Sequence, residues 1–234
     1  VIIPARNEEK ALEPLLKKII PSISDWVVVV DNGSTDRTRE VALSAGANVI
    51  QESRIGYGST CLAGIRYAKA LPKPPEVVCF FDGDGQSKTE DIPPVIELVV
   101  SKKVKYCQGS RMVYPSSRFA LTPAARAANR VFTRMMSLLW KQNVTDLGPL
   151  RCISWDALQP LNMRSTSYGW TIEMTAKILK SAIPVYEMPV KYSKRTTGKS
   201  KISGNVRTSL RAAIIMGLTL MLVMVFWRPS VALK

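Results

Sequence analysis

Short apolar runs alternate with helical stretches over the first hundred residues. Val1-Ile2-Ile3, Val27 to Val30 and Val77 to Phe81 are continuously apolar, as strands covered on both faces should be. Between them the chain reads as helix near Asn7, from about Thr35 to Ala45 with Gly46 as the stop, and from about Ser59 to Ala70 before Pro72. Glu8 and Glu9 suit the opening turn of the first helix, and Pro14 predicts a kink or a late start. Strand alternating with helix in this way specifies a parallel α/β sheet.

Beyond residue 100 the pattern loosens. It gives a short segment at Lys105 to Gln108, a basic helix around Pro123 to Lys141, a candidate strand at Leu150 to Ser154, a helix from about Gly169 to Ser181 and a strand at Val185 to Tyr192. Ser193 to Gly204 is a polar, glycine-containing loop. The last apolar stretch, Ala212 to Trp227, has 16 residues without a charge and lies between Arg207 and Arg211 on one side and Arg228 on the other. As a helix it would be ~24 Å long, short of the ~30 Å hydrocarbon core of a bilayer. It could lie on or re-enter a membrane, span it as a short helix, or pack as core. No internal repeat or signal-peptide pattern is visible.

Composition narrows the chemistry. At 234 residues with 46% hydrophobic and 22% charged side chains, the chain can bury a sizeable core. It contains no histidine. That excludes Ser-His-Asp and Cys-His nucleophile systems, His-ligated zinc and imidazole acid-base catalysis, leaving carboxylates, cations, metals and backbone groups. Cys61, Cys79, Cys107 and Cys152 form no C-x-x-C pair and read as reduced core residues. The net charge of +15 is uneven, because residues 101–234 carry 22 basic and 4 acidic side chains. Anionic lipid, a diphosphate-bearing substrate or nucleic acid would each satisfy that half electrostatically, but no nucleic-acid-binding motif or aromatic platform accompanies the charge.

Three strand ends deliver polar clusters, and in an open parallel sheet ligands bind at the carboxyl ends of strands. The clusters are Pro4-Ala5-Arg6-Asn7-Glu8-Glu9, Asp31-Asn32-Gly33-Ser34-Thr35-Asp36 and Asp82-Gly83-Asp84-Gly85-Gln86. Asp82, Asp84 and Gln86 offer hard oxygen ligands suited to Mg²⁺ or Mn²⁺, although an acidic turn with a helix cap has the same composition. Asn32-Gly33-Ser34 also reads as a turn with Ser34 or Thr35 capping the next helix, which leaves Asp31 unexplained. Asn7 and Glu8 read equally as a cap and a helix-dipole partner.

The order of these motifs resembles the nucleotide-sugar-binding half of family 2 glycosyltransferases, which have the GT-A fold. Within that family it is most similar to dolichyl- and polyprenyl-phosphate sugar transferases. The likeness continues through Gln108-Gly109-Ser110-Arg111, Thr145 to Arg151, Gly169 to Met174 and Arg195 to Lys201, seven motifs in order over residues 1–204. The resemblance implies a Rossmann-like, mostly parallel sheet flanked by helices, with a donor half at 1–100, an acceptor half at 101–204 and a membrane-associating helix within 205–234. By resemblance, Pro4, Ala5, Asn7, Glu8 and Asp31 hold the nucleoside, with Gly56 and Gly58 closing the donor site. Asp82, Asp84 and Gln86 hold metal and diphosphate with Gly83 among the donor-binding residues, Arg111 lies beside the phosphates or sugar, and Arg195, Lys199 and Lys201 sit on a closing loop. Arg151 and Glu173 fall in motifs assigned to the phosphate and acceptor side. Asn32 departs from the pattern, since the family often has a second Asp there.

The activity implied is inverting transfer of mannose or glucose from a GDP- or UDP-sugar to a polyprenyl phosphate, with Asp84, Asp146, Arg111 and Arg195 carrying the chemistry. A phosphomonoester carries about −1.5 to −2 charge at pH 7 and needs no general base. Asp146 and Glu173 stand in acid-poor surroundings, so each reads either as an ion-pair partner of a nearby Arg or as a functional group, Asp146 near the acceptor site and Glu173 orienting a loop or the sugar. For a hydroxyl acceptor one of them would have to be the base. Arg126, Arg130 and Arg134 share one face of the basic helix, which is either solvated or set against anionic head groups. The expected location is the cytoplasmic face of a membrane, peripheral or held by one C-terminal anchor. A transferase of the same fold acting on a sugar hydroxyl and a non-catalytic binding module are the competing readings.

Overall fold

The computed structural model describes residues 1–23, 26–195 and 206–230. The element order is β1 (Ile2–Ala5), α1 (Glu9–Ser22), β2 (Val28–Asp31), α2 (Thr38–Ser44), β3 (Asn48–Gln51), α3 (Tyr57–Ala70) and β4 (Val77–Phe80), then a 3-10 turn and α4 (Ile92–Val100). The chain continues through β5 (Tyr106–Ser110), α5 (Pro115–Ala120), α6 (Pro123–Trp140), β6 (Arg151–Ser154), α7 (Trp155–Leu161), α8 (Trp170–Lys180), β7 (Tyr186–Pro189) and α9 (Val206–Val225).

The strands form one seven-stranded sheet in the order β3-β2-β1-β4-β6-β5-β7. All are parallel except β6, which runs antiparallel to both β4 and β5. The pleat sends alternate residues to opposite layers. Ile3, Val29, Cys79, Cys107 and Cys152 pack in one core with α1 and α4, while Ile2, Val28, Val30, Phe80, Tyr106 and Ile153 pack in the other with α3, α7 and α8. Both faces are therefore covered, which is why the strands read as unbroken apolar runs. The four cysteines are free and buried, and Cys79, Cys152 and Cys107 stand abreast on β4, β6 and β5.

Several boundaries differ from the expectation. Helix α1 begins at Glu9 and runs through Pro14, whose ring lies on the exposed face while Leu12, Leu15, Leu16 and Ile19 anchor the other. Helix α2 starts at Thr38, because Asp36 accepts from the Thr38 amide at 3.0 Å and holds the preceding residues out of the helix. Gly46, at φ +87°, follows its end. Strand β3 was not legible, since only Val49 and Ile50 in it are apolar, and α4 hides behind Pro93-Pro94, which sit in a first turn where no amide donor is needed.

A third core cluster joins Phe132 and Met136 of α6, Ile172, Ala176 and Leu179 of α8, and Leu220 and Val223 of α9. Helix α9 thus docks on the domain along one stripe. Lys180 reinforces this by donating to the Val223 and Met224 carbonyls at 2.8 and 2.7 Å, near the helix C-terminus where a cation is favoured.

Candidate active site

The strand order reverses at β1: the chain builds β2 and β3 on one side of it and returns through α3 to place β4 on the other. The crevice at the carboxyl ends of β1 and β4 is a topological switch point, the ordinary ligand position of such a sheet. Backbone bonds hold the three polar clusters there. The Pro4 carbonyl accepts from the Gly83 amide at 3.4 Å, and the Ala5 carbonyl from the Asn32 amide at 2.9 Å.

The β1 and β2 clusters interlock. The Asn7 amide donates to Ser34 Oγ at 2.9 Å, the Thr35 amide to Asn7 Oδ1 at 2.7 Å and the Glu8 amide to Thr38 Oγ1 at 2.8 Å. Asn7 takes a left-handed conformation, φ +51°, to do so. These bonds correct the capping assignments: Ser34 and Thr35 face Asn7, no Asn7 or Glu8 side-chain bond caps α1, and Asp36 serves α2. Asp31 is buried, with Oδ1 accepting from the Ser34 amide at 3.1 Å.

In the β4 cluster, burial and the neighbouring Asp84 charge push the Asp82 carboxyl up to about 7. Tyr57 at the start of α3 donates its hydroxyl to Asp82 Oδ1 at 3.0 Å. Arg195 reaches in from the loop after β7, placing Nη1 3.0 Å from Glu8 Oε2 and Nη2 3.0 Å from Asp84 Oδ2. Burial alone would lower the Arg195 pKa, but the two carboxylates raise it and keep the guanidinium charged. Gln86 donates from Nε2 to the Ser193 carbonyl at 3.0 Å, holding the start of the same loop, a bond that does not use its amide oxygen.

Crowded acids with one raised pKa and a guanidinium already bridging two of them fit a divalent cation at this position. Among the described residues no group of three or more His, Cys, Asp or Glu forms a metal cage. Protein ligands would therefore need to be completed by oxygens from substrate and water, the usual manner of Mg²⁺.

Arg111 stands beside this cluster. It forms a bidentate pair with Asp146 through Nε and Nη2, each at 2.8 Å, and its guanidinium lies 5.0 Å from the Tyr192 ring centre. Burial opposes its charge, but Asp146 more than offsets that, and Asp82 adds to the effect. Asp146 is itself fully buried, taking the Arg111 and Leu147 amides as well. Its oxygens are committed to donors, as for a carboxylate that positions an arginine.

The Glycosyl transferase family 2 model matches residues 1–153. The chain belongs to this family. An uncharacterized glycosyltransferase of Mycobacterium tuberculosis is 32% identical over 214 residues, covering 92% of this chain and 94% of the relative. An undecaprenyl-phosphate mannosyltransferase of Micrococcus luteus is 28% identical over 225 residues, covering 88% and 87%. Among solved structures, glucosyl-3-phosphoglycerate synthase of M. tuberculosis with Mn²⁺, UDP-glucose and phosphoglyceric acid superposes with a TM-score of 0.70 at 19% identity, over 94% of this chain and 77% of that one. That likeness establishes the fold, a GT-A α/β architecture.

This family 2 glycosyltransferase does not bring every sequence-predicted residue to the crevice. Arg151 is buried and donates to the Gly148 and Thr171 carbonyls at 2.8 and 2.9 Å and to Thr175 Oγ1 at 2.8 Å. Glu173 pairs with Lys177 Nζ at 2.6 Å and accepts from the Arg164 and Ser165 amides. Neither set of partners includes a member of the Asp84 cluster. Gly56, φ +150°, and Gly58 bring the start of α3 against the backbone of Thr166 and Ser165, where a Cβ would collide with a carbonyl oxygen. Gly83 packs over Ile3 and Pro4. Lys199 and Lys201 lie outside the described residues. The sequence reading missed Tyr57 and Tyr192. The only signal for Tyr57 was its place between two glycines at a helix start, and Tyr192 carried none.

Proposed function

We propose that this enzyme transfers mannose or glucose from a GDP- or UDP-sugar to a polyprenyl phosphate at a membrane surface, with inversion at the anomeric carbon. The observation that carries the lipid acceptor is the joining of the Arg111–Asp146 pair to an exposed apolar platform. Asn129 on the inner side of α6 donates to the Thr145 carbonyl at 3.0 Å and accepts from the Leu147 amide at 2.9 Å, gripping the loop that holds Asp146. On the outer side of α6, Val131, Met135 and Leu138 are exposed among Arg130 and Arg134. Beside it α9 exposes Leu210, Ile214, Leu218, Met221, Leu222 and Val225. A ridge of large apolar side chains edged by arginines suits the interface of an anionic bilayer.

Helix α9 is long and apolar enough to cross a membrane. Its docked stripe of Ala212, Leu220 and Val223 favours a helix lying in the interface plane instead. In this reading residues 1–100 form the nucleotide-sugar half, 101–204 form the acceptor half and also lend Arg111 and Arg195 to the donor's phosphates, and 205–234 meet the membrane. The names of some relatives support the acceptor rather than the sugar: besides the mannosyltransferase above, a Methanococcus voltae relative is a UDP-N-acetylglucosamine–dolichyl-phosphate N-acetylglucosaminyltransferase.

Asp31, Asn7 and Glu8 take the nucleoside end of the donor, and Arg111 and Arg195 its phosphates. Mg²⁺ or Mn²⁺ held by Asp82, Asp84 and Gln86 would offset the charge growing on the leaving diphosphate. An oxygen of the acceptor phosphate attacks C1, the bond from C1 to the nucleotide's terminal phosphate oxygen breaks, and the electron pair departs with the nucleoside diphosphate. No proton moves, which agrees with an Asp146 already committed to Arg111. Alignment and fixed positive charge are then the sources of rate.

The test offers a short polyprenyl phosphate and the matching polyprenol as acceptors, with the product's anomeric configuration read by NMR. Transfer to the phosphate alone, giving a β-linked product from an α-linked donor, is expected. Transfer to the alcohol, or retention of configuration, contradicts the proposal.

A further inference from the structure

Asn32, the point of departure from the family pattern, is buried at the end of β2. Its carboxamide nitrogen donates to the Glu52 and Arg54 carbonyls, each at 2.9 Å, and its oxygen accepts from the Gly56 amide at 2.8 Å. Two carbonyls on one side and an amide on the other fix which end is nitrogen. A carboxylate could keep only the Gly56 bond and would set a charge against two carbonyl oxygens. The partners are alternate residues of one loop, 52–56, whose first amide bonds the Asp31 carbonyl at 2.9 Å and whose last residue opens α3. One side chain therefore pins the whole loop to the strand end.

The loop presents Ile55, which is 54% exposed. Its Cδ1 lies over Gly33, close enough that a Cβ there would stand 3.2 Å away. Ile55 thus stands as an exposed apolar side chain over the Gly33 turn, the same turn that Asp31 Oδ1 holds through the Ser34 amide. An apolar face next to a hydrogen-bond acceptor matches a nucleobase, which is flat above and below and carries N–H groups at its edge.

We propose that Asn32 is a positioning residue that holds loop 52–56 so that Ile55 walls the flat face of the donor's base while Asp31 meets its edge. The inference rests on reading the β2 cluster as the nucleoside end of the site. It makes the Asn a requirement of this loop conformation.

Calorimetric titration with UDP, GDP and inorganic pyrophosphate, each with Mn²⁺, tests it on the full chain. Asn32→Asp should weaken binding of the preferred nucleotide about tenfold or more, as expected for losing buried hydrogen bonds, and leave pyrophosphate binding unchanged. Ile55→Ala should weaken the same nucleotide several-fold with the loop intact, and hydrogen exchange over 52–56 should quicken only in Asn32→Asp. Nucleotide affinity unchanged in Asn32→Asp overturns the inference, as does an equal loss for pyrophosphate, which would mean a general structural role. An Asp31→Ala variant separates the two levels: if it binds nucleotide as the wild type does, the underlying reading of the β2 cluster fails first.

Discussion

Asp82 and Asp84 stand one glycine apart, and burial with mutual repulsion makes the ligand-free site sensitive to pH. Asp82 is held up to about 7 against an ordinary value of 3.8. Between those values the folded protein keeps a proton that the unfolded chain has lost, so Asp82's contribution is full below about 4 and falls away as pH rises through about 7. Asp82→Asn should therefore raise the melting temperature by a few degrees at pH 8 and leave it unchanged near pH 4, measured without metal or nucleotide. A shift of equal size at both pH values would contradict the cause given. At this scale the sequence showed the acids but not their partners. Asp82, Asp84, Glu8 and Asp31 were legible as carboxylates at strand ends, where a turn or cap reading competes with a ligand one. Tyr57 and Tyr192 were not, since whether an aromatic packs in the core or aims a hydroxyl at an acid depends on contacts between distant elements. Arg151 and Glu173 stand in recognisable motifs, and their described bonds are internal: Arg151 to the Gly148 carbonyl and to α8, and Glu173 to the loop before α8 and to Lys177, a lysine where an arginine partner was expected.

Elements were legible where one physical signal dominated. The valine runs gave β2 and β4, and Gly46 and Pro72 punctuated the helices before them. Strand β3 and helix α4 were missed because tertiary pairing, in one case, and a proline pair permitted in a first helical turn, in the other, overrode local signals. Helix α9 is the informative case. It is apolar all round, so sequence periodicity gives it no inner face, and only docking divides it into a buried stripe and an exposed one. If that exposed stripe and the α6 ridge meet lipid, then Leu138→Glu combined with Leu218→Glu and Leu222→Glu should lower binding to anionic vesicles by at least about tenfold, the scale of withholding one large apolar side chain from lipid. The melting temperature should be unaffected, because all three side chains are exposed. Unchanged co-sedimentation with vesicles would return α9 to the role of a helix covered by protein.

For the molecule as a whole, charge divides along the chain, as the proposed function requires. The nearly neutral first half builds the crevice at β1 and β4, while the strongly basic second half supplies Arg111, Arg195 and the arginine-edged ridge. The absence of histidine is consistent with an acceptor that arrives already ionised and with Asp146 spent on holding Arg111. The central claim is sugar transfer to a lipid phosphate through the Asp84 cluster. It is tested most directly by offering labelled GDP- and UDP-sugars with Mn²⁺ and a short polyprenyl phosphate to the wild-type enzyme and to Asp84→Ala, then extracting the product into organic solvent. The account predicts label in the organic phase from one donor class, reduced at least about a hundredfold in the variant, as when a group stabilising transition-state charge is removed. Metal-dependent nucleotide binding with no extractable label from any donor would contradict it.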